Sequence, residues 1–208
     1  MPGEVLTGKA SALFPKLARF RTDFYLAGGT ALALQIKHRV SVDFDLFSDD
    51  TIPKRLLREV DEVFAGNDRE VMVNNADELT VGIAGVKLTF LHYPFPPYLP
   101  LRNDEPIPLL SIKEILATKA YTLGRRGEFK DYVDLYAGLK GRYATLPEII
   151  DLARRKYKDA FNDRLFLEQL LYLDDVPEAP IVFLGKPESR DDIQRYLREA
   201  ISRLKLAA

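Results

Sequence analysis

The stretch "LAGGTALALQIKHRVSVDFDLF", Leu26 to Phe47, sets two glycines at the end of one apolar run and two aspartates on the next. Phe24 to Ala27 reads as a short strand, and "TALALQIKHR" is rich in helix formers. "VSVDFDLF" alternates strictly and predicts a strand. Val40, Val42, Phe44 and Leu46 share one face of it, while Ser41, Asp43, Asp45 and Phe47 share the other. The unit is therefore strand, Gly-Gly-Thr, helix, acidic strand.

Two residues of strand rise place the Asp43 and Asp45 Cα atoms roughly 6.5–7 Å apart. Like charges at that spacing repel, more so when buried, and a cation between them removes the repulsion. Oxygen donors supplemented by water suit Mg²⁺ or Mn²⁺, and a pair of such ions about 3.5–4 Å apart serves phosphoryl chemistry. An EF-hand does not fit, because its alternating ligands and central glycine are missing. At the strand-to-helix junction, Gly28 and Gly29 leave backbone amides open to an anion at the helix N-terminus. Thr30 can cap that helix or give its hydroxyl to a phosphate. Taken singly, each half has an ordinary reading, two acids facing solvent or a structural turn. Together they bring phosphate-binding and metal-binding groups to one edge of neighbouring elements.

Composition narrows the chemistry further. The 208 residues are 47% hydrophobic and 29% charged, enough to bury a core without covalent staples. The absence of cysteine excludes disulfides, thiolate catalysis and sulfur-ligated zinc. Two histidines, His38 and His92, leave no histidine-rich metal site. With a formal charge of −1 and a pI near 6.2, any nucleic-acid binding rests on a local basic face. No apolar run reaches spanning length and the N-terminal stretch has no signal-peptide order, so a cytoplasmic protein with no membrane partner is expected.

Along the rest of the chain, Leu6 to Phe20 predicts one helix, and Pro53 opens another running to about Ala65. Strands are predicted at Arg69 to Val73, Leu79 to Ala84 and Val86 to His92, with Gly85 as the turn between the last two. "YPFPPYLP" reads as a stiff loop ending the strand-rich half. Helices follow at Ser111–Leu123, Phe129–Leu139, Leu146–Tyr157, Asp163–Leu173 and Arg190–Leu204. Ser111/Glu114 and Thr145/Glu148 have capping-box spacing. "DDVPEAPIVFLGKPES" separates the last helix. Strands first and helices later define an α+β chain. Residues 1–110 are read as a core, and 111–208 as a helical region packed on it.

"GGTALAL…HRVSVDFDLF" resembles the nucleotidyltransferase motif hG[GS]…[DE]h[DE]h in the form used by the AbiEii/AbiGii toxin family, whose variant also carries the Arg39 and Ser41 type residues. The resemblance implies a minimal nucleotidyltransferase core, a mixed β-sheet flanked by helices, with a helical region after it. It also implies transfer of a nucleotide from an NTP to an RNA, often tRNA, or protein acceptor, and pairing with a cognate antitoxin. "ATKAYTLGRRGEFKDYVDLY" is similar to the family's C-terminal lysine-arginine-aspartate signature through Lys119, Arg126, Lys130, Asp131 and Asp134.

From this resemblance Asp43 and Asp45 are expected to hold Mg²⁺ or Mn²⁺. Gly28, Gly29, Thr30, Arg39 and Ser41 are expected at the phosphates. Lys119 and Arg126 would face the leaving pyrophosphate, and Asp131 would orient a cation or take the acceptor proton. Tyr132, Leu135, Tyr136 and Leu139 form the core stripe of their helix, which leaves Lys130, Asp131 and Asp134 off the packed face. His38 receives no role. Many nucleotidyltransferases carry a third carboxylate on a later strand, whereas Thr89 stands at that position here. Either two carboxylates suffice, or Glu78 or Asp131 supplies the acid, or turnover is impaired. Two other classes stay open: a nucleotidyltransferase fold that binds an NTP or partner without turnover, and a metal-dependent phosphodiesterase.

Overall fold

A computed structural model describes residues 4–103, 105–125 and 127–207. The chain forms two compact units. The first runs up to Gln35 and resumes over Val40–Ser111; the second joins Ile36–Arg39 to the chain from Ile112 onward.

The first unit is built on a mixed five-stranded sheet of β1 (Tyr25–Ala27), β2 (Phe44–Ser48), β3 (Arg69–Asn74), β4 (Glu78–Ile83) and β5 (Val86–His92), ordered β1-β2-β5-β4-β3. β2 runs parallel to β5, and the other neighbouring pairs are antiparallel. Ala84 and Gly85 both have positive φ (53° and 82°), as a two-residue hairpin between β4 and β5 requires. Edge strand β3 is charged at Arg69 and Glu70 and bulged between Val71 and Val73, features that discourage edge pairing. Residues 107–110 return to the sheet, where Leu26 N–H donates to Pro108 O and Leu110 N–H donates to Leu26 O, each at 2.8 Å.

The helices of this unit are α1 (Gly8–Leu13), α2 (Gly28–Ile36, within the unit as far as Gln35) and α3 (Leu56–Val63). The single helix predicted over residues 6–20 is instead α1 followed by a 3₁₀ segment from Phe14 to Phe20. Pro15 has no N–H to continue the α-helical ladder, so the chain tightens there. The segment still buries Phe14, Leu17 and Phe20, and Phe20 and Phe24 meet Phe90 edge-on at 5.0 and 5.1 Å.

The second unit contains α4 (Ile112–Leu123), α5 (Phe129–Lys140), α6 (Leu146–Tyr157), α7 (Asp163–Leu171) and α8 (Arg190–Ala207). The Thr145/Glu148 capping box forms, with Glu148 Oε2 2.7 Å from Thr145 N. The Ser111/Glu114 box does not. Glu114 is buried and pairs with Lys156 of α6, while Ser111 Oγ has no hydrogen-bond partner. Among the described residues no helix is long and apolar enough to cross a membrane.

Candidate active site

In the first unit the register places Asp45 opposite Ala27, so the next residue, Gly28, meets the Asp45 side chain. A Cβ on Gly28 would lie 3.1 Å from Asp45 Cγ and 3.2 Å from its Cβ, and closer still to Oδ2. Gly28 also has φ of +64°, the left-handed region that favours glycine. Backbone shape and the nearness of the carboxylate therefore select the same residue. Gly28→Ala is expected to destabilise the fold by about 1–2 kcal/mol from the left-handed backbone alone. It should also push the Asp45 carboxylate aside. A thermal melt within error of wild type would contradict this packing.

The predicted strand over 40–47 begins only at Phe44, and Val42 is 48% exposed rather than facing the core. The preceding segment has other partners. Ser41 N–H donates to Val5 O at 2.8 Å, and the buried Thr30 hydroxyl bonds Asp43 O and lies 2.7 Å from Ser41 Oγ. Thr30 and Ser41, expected at phosphates, thus fix the approach to the acidic strand. From Phe44 the alternation holds: Phe44 and Leu46 are buried, Asp45 and Phe47 half-buried.

Asp45 is level with Thr89 on β5, and Asp43 Oδ2 lies 4.0 Å from Lys87 Nζ, two residues earlier on that strand. Both partners of that pair are partly exposed, which makes it a weak surface ion pair. Thr89 is followed across the sheet by Thr80, whose hydroxyl is 3.4 Å from Thr89 Oγ1 and 2.6 Å from Glu78 Oε1. A carboxylate only accepts, so the single Thr80 hydrogen belongs to Glu78 and Thr89 becomes the donor in the longer contact. A hydroxyl row thus leads from the neighbour of Asp45 to Glu78.

Among the described residues, no group of three or more His, Cys, Asp or Glu side chains is placed to hold a metal. Two carboxylates, water and substrate oxygens nevertheless form a donor set that suits Mg²⁺, which keeps several waters and binds through one or two carboxylates plus phosphates. Gly28 lets the Asp45 carboxylate sit directly against the backbone that opens α2, which fits that use.

The second unit holds a buried charge cluster. Asp134 is fully buried, yet it accepts from His38 Nε2 at 2.7 Å and from Arg39 Nε and Nη2 at 2.7 and 3.1 Å, with Lys119 Nζ at 2.9 Å. Burial alone would raise its pKa, but Lys119, Arg39 and the His38 hydrogen bond hold it well below the carboxylate range. Burial likewise disfavours the Lys119 ammonium, and Asp134 and Asp131 outweigh it, keeping the lysine protonated above its ordinary range. Asp131 Oδ1 takes Lys119 at 2.6 Å, and its Oδ2 accepts the Glu128 N–H at 3.1 Å.

Residues 11–94 and 78–208 match the family model "Nucleotidyl transferase AbiEii toxin, Type IV TA system". The chain belongs to the AbiEii family. It is 30% identical over 185 residues to the Aquifex aeolicus (strain VF5) protein aq_aa25, covering 85% of this chain and 82% of the relative. Its fold is similar to that of MenT4, a nucleotidyltransferase toxin of Mycobacterium tuberculosis H37Rv, with TM-score 0.66, 20% identity, and 93% and 80% of the two chains covered. It is also similar to JHP933 from Helicobacter pylori, with TM-score 0.52, 16% identity, and 97% and 99% covered. The α+β nucleotidyltransferase-like fold is thereby established.

One placement expected for this AbiEii-family chain changes, and two residues expected at phosphates have partners within the second unit. Asp131 and Asp134 are buried rather than off the packed face, because α5 is enclosed on nearly every side. Arg39, expected at a phosphate, gives its guanidinium to Asp134 in a two-point pair. Lys119, expected at pyrophosphate, is buried between two carboxylates. Arg126 lies outside the described residues. Sequence reasoning assigns His38 no role, whereas its Nε2 is set on Asp134; its signal was the place beside Arg39 in the motif. Lys87 stands on the Thr89 face, as the alternation of "VKLTFL" predicts.

Proposed function

We propose that the chain is a divalent-metal-dependent nucleotidyltransferase that moves a nucleotide from an NTP onto an RNA, tRNA included, or a protein acceptor, as the toxin of an antitoxin pair. The observation that carries this is the Gly28 corner with the Asp45 carboxylate set directly against it. Asp43 and Asp45 would hold Mg²⁺ or Mn²⁺, which supplies positive charge to the triphosphate. Gly28 and Gly29 present the amides that open α2 to a phosphate, favoured there by the helix dipole. Thr30 and Ser41 act as positioning residues for the acidic strand. Lys119 and Asp131 act as positioning residues of the buried cluster, and Arg126 is proposed for the leaving pyrophosphate. Incubation with each α-labelled NTP, Mg²⁺ and total RNA or protein, followed by gel separation, tests the reading. Label on a macromolecule with release of pyrophosphate is expected, and NTP hydrolysis without transfer would contradict it.

For the missing third acid we propose Glu78, acting through Thr80 and Thr89 as acceptor for the proton of the attacking hydroxyl. Glu78→Gln should lower transfer about 100-fold and shift the acid limb of its pH profile, with NTP affinity unchanged. An unaltered profile would remove Glu78 from the reaction.

The second reading, NTP binding without turnover, rests on Thr89 standing where an acid is common. It predicts magnesium-dependent NTP binding with no pyrophosphate formed.

A further inference from the structure

The segment from Phe183 to Glu188, in sequence only part of a proline-containing break, walls a cavity of about 360 Å³ built wholly from the second unit. An isolated bridge between Arg39 and Phe183, with Leu184 N–H donating to His38 O at 3.1 Å, pins this segment beside residues 36–39. The facing wall is one side of α5, Val133, Tyr136, Ala137 and Lys140, at the i, i+3, i+4, i+7 spacing of a single helical face.

The lining combines three features. Three lysines, Lys37, Lys140 and Lys186, face one acid, Glu188, which lies 2.7 Å from Lys140. Lys37 and Lys186 have no carboxylate partner among the described residues, so the cavity carries uncompensated positive charge. Val133, Tyr136 and Phe183 supply an apolar and aromatic surface. His38 is the third feature. Its side chain is only 10% exposed, its Nε2 is committed to Asp134, and its Nδ1 is buried without a hydrogen-bond partner. The Asp134 carboxylate only accepts, so Nε2 carries the hydrogen of that bond. A buried polar atom left unpaired is uncommon in a folded protein and calls for an explanation.

The volume lies within the range of small-molecule sites and is too small for a folded partner. A flat ring joined to a group bearing negative charge matches all three features. We propose that this cavity binds a nucleoside monophosphate, free or as the phosphorylated end of an RNA. The base lies against Phe183, Tyr136 and the His38 ring, and the phosphate meets Lys37 and Lys186. Because His38 also holds Asp134, the ligand braces the cluster of Asp134, Arg39 and Lys119, and binding raises the melting temperature.

The test is calorimetric titration of the full chain in EDTA with AMP, GMP, CMP, UMP and a 5′-phosphorylated RNA hexamer, in wild-type and Asp45→Asn proteins. At least one probe should bind saturably and equally to both, which separates this site from the carboxylate pair. Lys37→Glu with Lys186→Glu should weaken it tenfold or more. Gly185→Phe should weaken it, since Gly185 lines the cavity and a Cβ there meets nothing within 4 Å. Saturation by free monophosphates identifies a nucleotide site, and saturation by the hexamer alone identifies an RNA-end site. Absence of binding by every probe, or binding unchanged in these variants, overturns the proposal.

Discussion

Asp45→Asn and Asp43→Asn should each reduce nucleotide transfer about 1000-fold or more while leaving the circular dichroism spectrum and melting temperature close to wild type. The magnitude follows from removing half of the anionic grip on a divalent ion. That ion supplies several kcal/mol of charge stabilisation, and each 1.36 kcal/mol is a factor of ten in rate. The fold should survive because neither Asp43 nor Asp45 is fully buried. Asp43 makes a long contact to exposed Lys87, and Asp45 is half-buried on β2. Asparagine preserves shape and one acceptor oxygen, so the Gly28 corner keeps its packing. Asp45→Asn should be the more severe change, since Asp45 is the residue the corner encloses. Transfer at the wild-type rate in either variant would remove these two residues from the chemistry.

Asp134→Ala is the substitution expected to cost most in stability, about 3–5 kcal/mol, the penalty for breaking a buried pair and leaving its partners charged. Arg39 and Lys119 would keep their positive charge in a buried site, and His38 Nε2 would lose its acceptor. The urea midpoint should fall by about 1–3 M, monitored by tyrosine fluorescence and circular dichroism. The same carboxylate sets a pH dependence. Its folded pKa lies well below the ordinary value of about 3.9. The stability it confers is therefore complete above that value and is lost as pH falls toward the folded pKa. Asp134→Asn should flatten that part of the acid-denaturation curve. An Asp134→Ala protein within 1 kcal/mol of wild type would contradict the cluster as described.

Local rules made most of the fold legible. Three strands and the β4–β5 turn follow from alternation and Gly85, and the Thr145/Glu148 box forms as its spacing predicts. Leu6–Phe20 departed because Pro15 interrupts the ladder, a local signal outweighed by the apolar stripe. The site divides along another line. The Gly28–Asp45 juxtaposition was implicit in strand, glycine pair, helix and strand, since antiparallel pairing sets Ala27 against Asp45. The destination of Asp134 was not. A helix stripe assigns one face to the core, and nothing in "KDYVDLY" shows that α5 is enclosed on its remaining faces. Once it is enclosed, an acid there needs cations, and Arg39 and Lys119, 95 and 15 positions earlier in the chain, supply them. Sequence spacing carries no information about such a meeting.

The most direct measurement is an anomalous-scattering map of crystals grown with Mn²⁺ and a non-hydrolysable NTP. Manganese is expected in contact with both Asp43 and Asp45, and the triphosphate against the amides of Gly28 and Gly29. Manganese and triphosphate bound elsewhere, with that corner left to solvent, would contradict it.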